Sequence, residues 1–257
     1  MSIGLYEVIK GLLIETKPII LNQLPSQGVF YKSDFKIKIK KADVEDIIEY
    51  EFKFDKANLL SSIDCIKNVI MKNAIFSKGY SYKDIKSIDI IYIFLEIVKF
   101  TTKRDINITY TNYLGEEAVV SFGNETFKYY DFGQFVDIYD TETNEFVVNG
   151  YRFSLPSIGV EASLTQFLFY KQSDKEFEKY NDYCYNFMYF IGHKSSLTFP
   201  EIENLIQIFN FDLDETEIEL TNNIVDFFSG VVSYTLKNDD GFIDIKAKLD
   251  LETIWKS

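Results

Sequence analysis

The sequence predicts an α+β protein in which helical N- and C-terminal parts flank a small antiparallel β module. Apolar residues recur at helical spacing before residue 105 and after residue 155, and they alternate with a period of two in between. The predicted regions are a turn-strand and helical part over 1–104, a β-rich insert over 105–155 and a helical part over 156–257. A single compact domain with an insert is the alternative.

The N-terminal region is predicted to contain one strand among several helices. A short helix over residues 2–15 leads through an extended segment to a strand over 34–40, where apolar and polar residues alternate. Further helices are expected over 43–50, 56–72 and 82–101. The last of these is expected to begin behind Ser81, with Asp84 as an acidic residue in its first turn.

The insert and the C-terminal region carry clear turn and cap signals. Turns at Leu114-Gly115 and at Asn149-Gly150 predict hairpins within the insert. Helices are then expected over 160–172 and 174–191. Another helix begins at Thr198, where Glu201 completes a capping box, and a final helix ends at a turn over 238–241.

Composition and charge exclude several classes of function. The chain has 257 residues, a net charge of −13 and 46% hydrophobic residues, which indicates a well-packed globular protein. The acidic balance weighs against nucleic acid as a partner, because phosphate binding needs clustered Lys and Arg. The one basic run is interpreted as the solvated face of the first strand; it contains Lys36, Lys38, Lys40 and Lys41. No signal peptide or membrane span is apparent, so a soluble cytoplasmic-type chain is expected.

No residue pattern predicts catalysis, a metal site or a cofactor. His193 is the sole histidine and lies in no catalytic signature, and Cys65 and Cys184 are expected to be buried, reduced thiols. The acidic group that begins at Asp212 and Asp214 starts like a calcium loop, but the required glycine is absent, so helix capping is expected. The aromatic stretch over 177–190 is interpreted as core packing or, alternatively, as a protein-binding surface.

The hexapeptide Leu-Pro-Ser-x-Gly-Val occurs twice, at residues 24–29 and 155–160. Each copy is interpreted as a tight turn in which glycine takes a positive φ, and the repeat as coincidental turn usage, not a duplicated domain. The candidate turn or interaction residues are Leu24, Pro25, Ser26, Gly28, Phe30, Tyr31, Pro156 and Gly159. The aromatic pair Phe30 and Tyr31 is expected to form an assembly contact, unless the chain's own core covers it.

The segment 24–31, a Leu-Pro-Ser-x-Gly-x-x-Tyr turn before a strand and a string of helices, resembles the baseplate-hub family of T4-like contractile-tailed bacteriophages. Residues 201–210 and the terminal Ile254-Trp255 are similar to the same group. Some relatives carry cysteine pairs suited to zinc in the middle insert. This chain has no cysteine between Cys65 and Cys184, so no metal is carried over.

The resemblance implies a non-enzymatic structural or assembly protein of a tail baseplate hub. Such a protein is made in the host cytoplasm, resides in the virion and contacts other phage tail and baseplate proteins in an oligomeric assembly. One alternative is a tail-assembly chaperone absent from the mature virion. Another is a hydrolase that uses paired carboxylates such as Asp137, Asp140 and Glu161.

Overall fold

The computed structural model describes residues distributed along the chain from Pro18 to Lys256. These are residues 18–21, 24–26, 28, 31–55, 57–123, 133–143, 145–148, 150–175, 178–180, 182, 194–208, 213–220, 222–223, 235–238, 241–244 and 250–256. The predicted helix over 2–15 and most of that over 174–191 lie outside them. The described parts combine helices with small antiparallel sheets, which confirms the α+β class. Within them, no helix has the length and apolar character needed to cross a membrane.

The helices and strands alternate irregularly along the chain. The helices are α1 (Val44–Lys53), α2 (Leu59–Asn73), α3 (Ile90–Thr102), α4 (Ile158–Lys171) and α5 (Phe199–Gln207), with 3₁₀ segments at Tyr82–Asp84, Ser87–Asp89 and Gly133–Ile138. The strands are β1 (Ile19–Ile20), β2 (Ile37–Ile39), β3 (Ala74–Phe76), β4 (Asn107–Thr111), β5 (Glu117–Ser121), β6 (Tyr139–Asp140), β7 (Glu145–Val148), β8 (Tyr151–Phe153), β9 (Thr235–Asn238) and β10 (Gly241–Asp244). They pair antiparallel as β1–β2–β3, β4–β5, β6–β7–β8 and β9–β10.

The sheet β1–β2–β3 has one buried and one exposed face. Ile37 and Ile39 are buried while Lys38 between them is exposed, as the two-residue period of a strand requires. The register places Lys38 beside Ile20 and Ile75, so these two residues lie on the exposed face. The strand predicted in this region is therefore confirmed at its centre.

Helices α1 and α2 are joined by one buried carboxylate. Asp43 caps α1 and forms a reciprocal capping box with Asp46. The Asp46 carboxylate also accepts a hydrogen bond from Asn73 Nδ2 at 2.8 Å and pairs with Lys72 Nζ at 3.0 Å. The same side chain thus closes the start of α1 and holds it against the end of α2.

Helix α3 forms the centre of the core. Its residues Ile93, Phe94 and Leu95 are fully buried. Tyr50 of α1 stacks on Phe94 with ring centroids 5.4 Å apart, and Trp255 meets the Phe94 ring edge-on at 5.9 Å. The C-terminal segment therefore packs on the same core as the N-terminal helices.

The sequence predicts one helix over 82–101, and this prediction is wrong at the N-terminal end. Ser81 and Asp84 form a capping box, but the box begins only a 3₁₀ turn. The backbone is then extended at Ile85 and Lys86, and α3 begins at Ile90. The helix is interrupted because backbone groups of this stretch bond to distant parts of the chain.

Hairpins occur both inside and outside the predicted β module. Within the insert, β4–β5 and β7–β8 close around Gly115 and Gly150, each with positive φ, as predicted. The C-terminal region was predicted to be helical up to the turn over 238–241. Residues 215–220 are helical, but β9 and β10 form a hairpin around that turn, so the C-terminal region also contains strands.

Candidate functional site: a lysine-lined cavity beside the two motifs

The two copies of the hexapeptide meet at one segment of the fold. This segment, residues 85–89, lies between the 3₁₀ turn at Tyr82–Asp84 and α3, and we call it the junction segment. The first motif, which we take as the hexapeptide and the two residues after it (residues 24–31), contacts it through polar groups. The second motif, residues 155–160, contacts it chiefly through the backbone. These contacts explain why the predicted helix is interrupted here.

The first motif bonds to the junction segment through Asp89, whose side chain is completely buried. The Ser26 N–H donates to Asp89 Oδ1 at 2.9 Å, and the Tyr31 hydroxyl donates to Asp89 Oδ2 at 2.8 Å. The Lys86 N–H donates in turn to the Tyr31 hydroxyl oxygen at 2.8 Å. Each carboxylate oxygen of Asp89 therefore has a donor, as a buried acid requires.

The second motif bonds to residues 85–87 of the same segment. Its backbone contacts are a bond from Ser87 N–H to Pro156 O at 3.0 Å and one from Ile158 N–H to Ile85 O at 2.9 Å. The buried ammonium of Lys86 donates to Leu155 O and to Ser154 Oγ, each at 3.0 Å. Lys86 thus links both motifs, through its backbone to the first and its side chain to the second.

Burial shifts the pKa values of Lys86, Asp89 and Tyr31. Burial lowers the pKa of the Lys86 ammonium to about 8, although the charge of Glu145 opposes the shift. Burial also raises the pKa of Asp89 to about 6, against the hydrogen bonds from Ser26 and Tyr31. The Tyr31 hydroxyl has a pKa well above its usual value, because it is buried and faces Asp89.

The glycines of the two motifs adopt different conformations. Gly28 has φ of 77° and is exposed, in agreement with the predicted turn. Gly159 lies in the first turn of α4 behind the cap Ser157, so the turn predicted for the second motif is wrong. A Cβ at Gly159 would lie 1.8 Å from the carbonyl oxygen of Ser195. Glycine is required there for close approach of two backbones, not for positive φ.

A cavity of about 360 Å³ opens beside the junction segment. Its walls come from distant parts of the chain: Lys32 and Asp34 follow the first motif, residues 78–80 form the turn after β3, and residues 194–195 precede α5. Tyr31 and Lys86 line it as well. Because Gly159 contacts Ser195, and Ser157 Oγ donates to Lys194 O at 3.3 Å, the second motif holds one wall in place.

The cavity is lined by more cations than anions. Its lysines are Lys32, Lys78, Lys86 and Lys194, and its carboxylates are Asp34 and Asp84. Asp34 accepts a hydrogen bond from the Tyr80 hydroxyl, and the pKa of that hydroxyl is raised to about 12 by partial burial and by Asp34. The formal balance of the lining is therefore positive, although the whole chain carries −13.

The lysines of the cavity differ in whether a neighbouring carboxylate neutralises their charge. Lys194 Nζ pairs with Glu201 at 2.7 Å. Among the residues that the structure describes, neither Lys32 nor Lys78 forms an ion pair, and both are exposed. These two ammonium groups are thus available to an anionic ligand.

Most predicted residues of the first motif are buried within this chain. Leu24, Pro25 and Ser26 are buried, while Phe30 lies outside the described residues. Tyr31 is only 6% exposed, and its ring stacks on Phe35 with centroids 4.2 Å apart. Of the two coverings that the sequence leaves open for Tyr31, the chain's own core is the one present, which leaves little of its side chain for another subunit.

The remaining chemical candidates have structural explanations where they are described. Cys65 is a buried free thiol whose pKa is raised by burial, whereas Cys184 and His193 lie outside the described residues. Asp214 and Glu217 form a reciprocal capping box, with backbone-to-carboxylate bonds of 2.9 Å and 2.8 Å. The part of the chain that is described contains no cluster of acidic, cysteine and histidine side chains suited to a metal ion.

The carboxylates considered for hydrolysis lie in separate environments. Asp140 pairs with Arg152 at 3.4 Å. Glu161 accepts a hydrogen bond from Ser87 Oγ and faces Lys67 at 3.6 Å. Asp137 is exposed in a 3₁₀ segment. Neither Asp140 nor Glu161 lines the cavity, so both act here as ion-pair partners within the fold.

Apart from Tyr31, the residues that form this site belong to no motif in the sequence. Nothing around Asp89, Lys32, Lys78, Lys86 or Lys194 predicts a binding site. One usable signal exists: Lys86 and Asp89 are charged residues set among Ile85, Ile88 and Ile90. Charges within such a run are either exposed or paired by buried polar groups.

Comparison with known proteins yields no relative of this chain. No protein-family model, no curated protein and no solved structure matches it. Function is therefore inferred from the residues and their geometry.

Proposed function

We propose that this chain is a non-enzymatic component of the baseplate hub of a contractile phage tail and acts through protein–protein contacts. The observation that carries the proposal is the tip of the β4–β5 hairpin. There Tyr113 and Leu114 are 79% and 64% exposed. Large apolar side chains that are exposed next to one another, unlike single ones, are typical of surfaces that a partner protein covers.

The tip is ordered by a single asparagine. Asn112 Oδ1 accepts hydrogen bonds from the N–H groups of Leu114 and Glu116, at 3.0 Å and 2.9 Å. The Gly115 N–H donates to Asn112 O at 3.0 Å. Because these bonds fix the turn, Tyr113 and Leu114 are presented without a large entropic cost on binding.

The base of the hairpin is anchored in the core. Ile108 of β4 and Val120 of β5 are buried, whereas Val119, on the other face, is 63% exposed. The hairpin therefore has one face that belongs to the fold and one exposed face, on which Val119 is apolar among polar residues. This arrangement supports a contact role, and the resemblance of residues 24–31 to the baseplate-hub family supports a phage tail as its setting.

Photo-crosslinking in infected cells tests the proposal. With benzoylphenylalanine at position 113, we expect cross-links to other tail proteins, and far fewer from the same group at position 142, where the polar residue Glu142 is exposed in the turn after β6. Mass spectrometry of purified particles should detect the chain. Cross-links at both positions alike, or at neither, would contradict a contact through the hairpin. A chain that cross-links in cells but is absent from particles is an assembly chaperone.

A double substitution measures the strength of this contact. Tyr113→Ser with Leu114→Ser should leave the free energy of unfolding within about 0.5 kcal/mol, because both side chains are exposed. The same change should weaken binding to the cross-linked tail protein by about 2 kcal/mol. Unchanged affinity would exclude the tip as the main contact.

A further inference from the structure

We propose that the lysine-lined cavity beside the junction segment binds a carboxylate-bearing peptide segment of a partner protein. This inference rests on the proposed protein-binding function and adds a second contact, different in chemistry and position from the apolar hairpin tip. The cavity has the size of a small ligand pocket, at about 360 Å³. It is therefore large enough for one or two acidic side chains.

The charges of the cavity favour an anion. Four lysines and two aspartates line it, so the formal balance is positive on a chain of net charge −13. A concave site lined mainly by one sign of charge concentrates the local field and attracts ligands of the opposite sign. The ammonium groups of Lys32 and Lys78 form no ion pair with any residue in the described ranges, so binding an anion would break no ion pair with those residues.

The walls of the cavity are held in place before any ligand arrives. Tyr31 is fixed by Asp89, and the turn that carries Lys78 is held where Tyr80 N–H donates to Ser77 O at 3.1 Å. Lys194 is held by its ion pair with Glu201. A pre-formed site loses less conformational entropy when it binds.

The overall charge favours a compact acidic peptide over a polyanion. A nucleic acid would extend its phosphates beyond the cavity across a surface whose total charge is −13, and most of those contacts would be repulsive. A peptide with a few carboxylates can place them against Lys32 and Lys78 and then turn away from the acidic surface. Lysine ammonium groups recognise such carboxylates as point charges and need no planar bidentate geometry.

Calorimetric titration of the full chain with hexaglutamate tests this inference. We expect saturable binding that weakens as ionic strength rises, and no binding of hexaglutamine. Lys32→Gln with Lys78→Gln should weaken the hexaglutamate affinity about tenfold. The matched control is Lys36→Gln with Lys38→Gln, which removes the same charge from exposed positions outside the cavity and should change the affinity less than about twofold.

Three outcomes would overturn the inference. Equal weakening by both double variants would mean that hexaglutamate responds only to total charge. Absence of hexaglutamate binding by the unmodified chain would exclude the site. Inorganic phosphate that binds more tightly than hexaglutamate and displaces it would identify a small anion as the ligand. None of these outcomes touches the hairpin cross-links, so failure here is distinguishable from failure of the proposed function.

Discussion

The two Leu-Pro-Ser motifs have nearly the same sequence and hold the junction segment by different means. The first motif uses polar side-chain chemistry, since Asp89 accepts from the Ser26 N–H and from the Tyr31 hydroxyl. The second uses backbone contacts and close packing, with Gly159 pressed against Ser195. Tyr31 lies beyond the shared hexapeptide, but matching residues such as Gly28 and Gly159 also acquire different roles from what the fold places opposite them.

The glycines of the two motifs also differ in why glycine is needed. Nothing lies within 4 Å of a Cβ built at Gly28, and its positive φ is the only reason for glycine. At Gly159 the φ angle is helical, and the missing side chain is the reason. Glycine is thus needed for its backbone conformation in the first motif and for its lack of a side chain in the second. Both arrangements support the cavity, the first through Tyr31 and the second through residues 194–195.

Loss of the hydrogen bonds between Asp89 and the first motif should have the largest effect on stability. Asp89→Ala removes the acceptor of two buried donors and one of the carboxylate charges near buried Lys86, so we expect the free energy of unfolding to fall by about 4 kcal/mol. Urea denaturation measures this. Asp84→Ala, which removes a carboxylate from a half-buried cap, should cost only about 1 kcal/mol. Equal costs would show that Asp89 is not the main tie of the first motif.

Crowding the second motif should have the next largest effect. Gly159→Ala places a methyl group against a backbone carbonyl, and we expect a loss of about 3 kcal/mol. Gly28→Ala meets no neighbour and should cost about 1 kcal/mol for its positive φ. Thermal and urea unfolding of the pair measure the difference. A larger loss at Gly28 would reverse the roles assigned to the two glycines.

The hydroxyl of Tyr31 contributes less, because its ring remains packed when it is removed. Tyr31→Phe deprives Asp89 of one donor and the Lys86 N–H of its acceptor, and we expect a loss of about 2 kcal/mol. Tyr80→Phe, whose hydroxyl bonds to exposed Asp34, is the control and should cost less than about 1 kcal/mol. If both substitutions lower the free energy of unfolding equally, burial of the Tyr31 hydrogen bonds adds nothing to their contribution to stability.

The pH dependence of stability tests the burial of the Asp89 carboxylate. The folded-state pKa of Asp89 is raised from 3.8 to about 6, so between these values the folded protein binds a proton that the unfolded chain has released. The Asp89 contribution to stability therefore falls as pH rises from about 4 to about 6, by at most ~1.4 kcal/mol per pH unit. We expect this slope in the difference between the unmodified chain and Asp89→Asn. A flat difference would mean that Asp89 titrates normally.

Local signals in the sequence predicted local structure well. The capping box at Thr198 and Glu201 is present, as are the hairpin turns at Gly115 and Gly150. Each of these features depends on residues within a few positions of one another, so the sequence contains all the interacting groups. The positions of these hairpin turns could be predicted from the sequence for the same reason.

Tertiary contacts decided the rest. The helix expected from residue 82 is interrupted because the Lys86 N–H and the Ile85 carbonyl bond to Tyr31 and Ile158, far along the chain in each direction. The cavity brings together lysines from positions 32, 78, 86 and 194, and no spacing in the sequence predicts that they lie close together. The sequence by itself determined the α+β class, the caps and the turns, because those interactions are short-range. Only the tertiary structure decided that the two motifs converge and that four lysines share one cavity, because both depend on which distant backbones pack together.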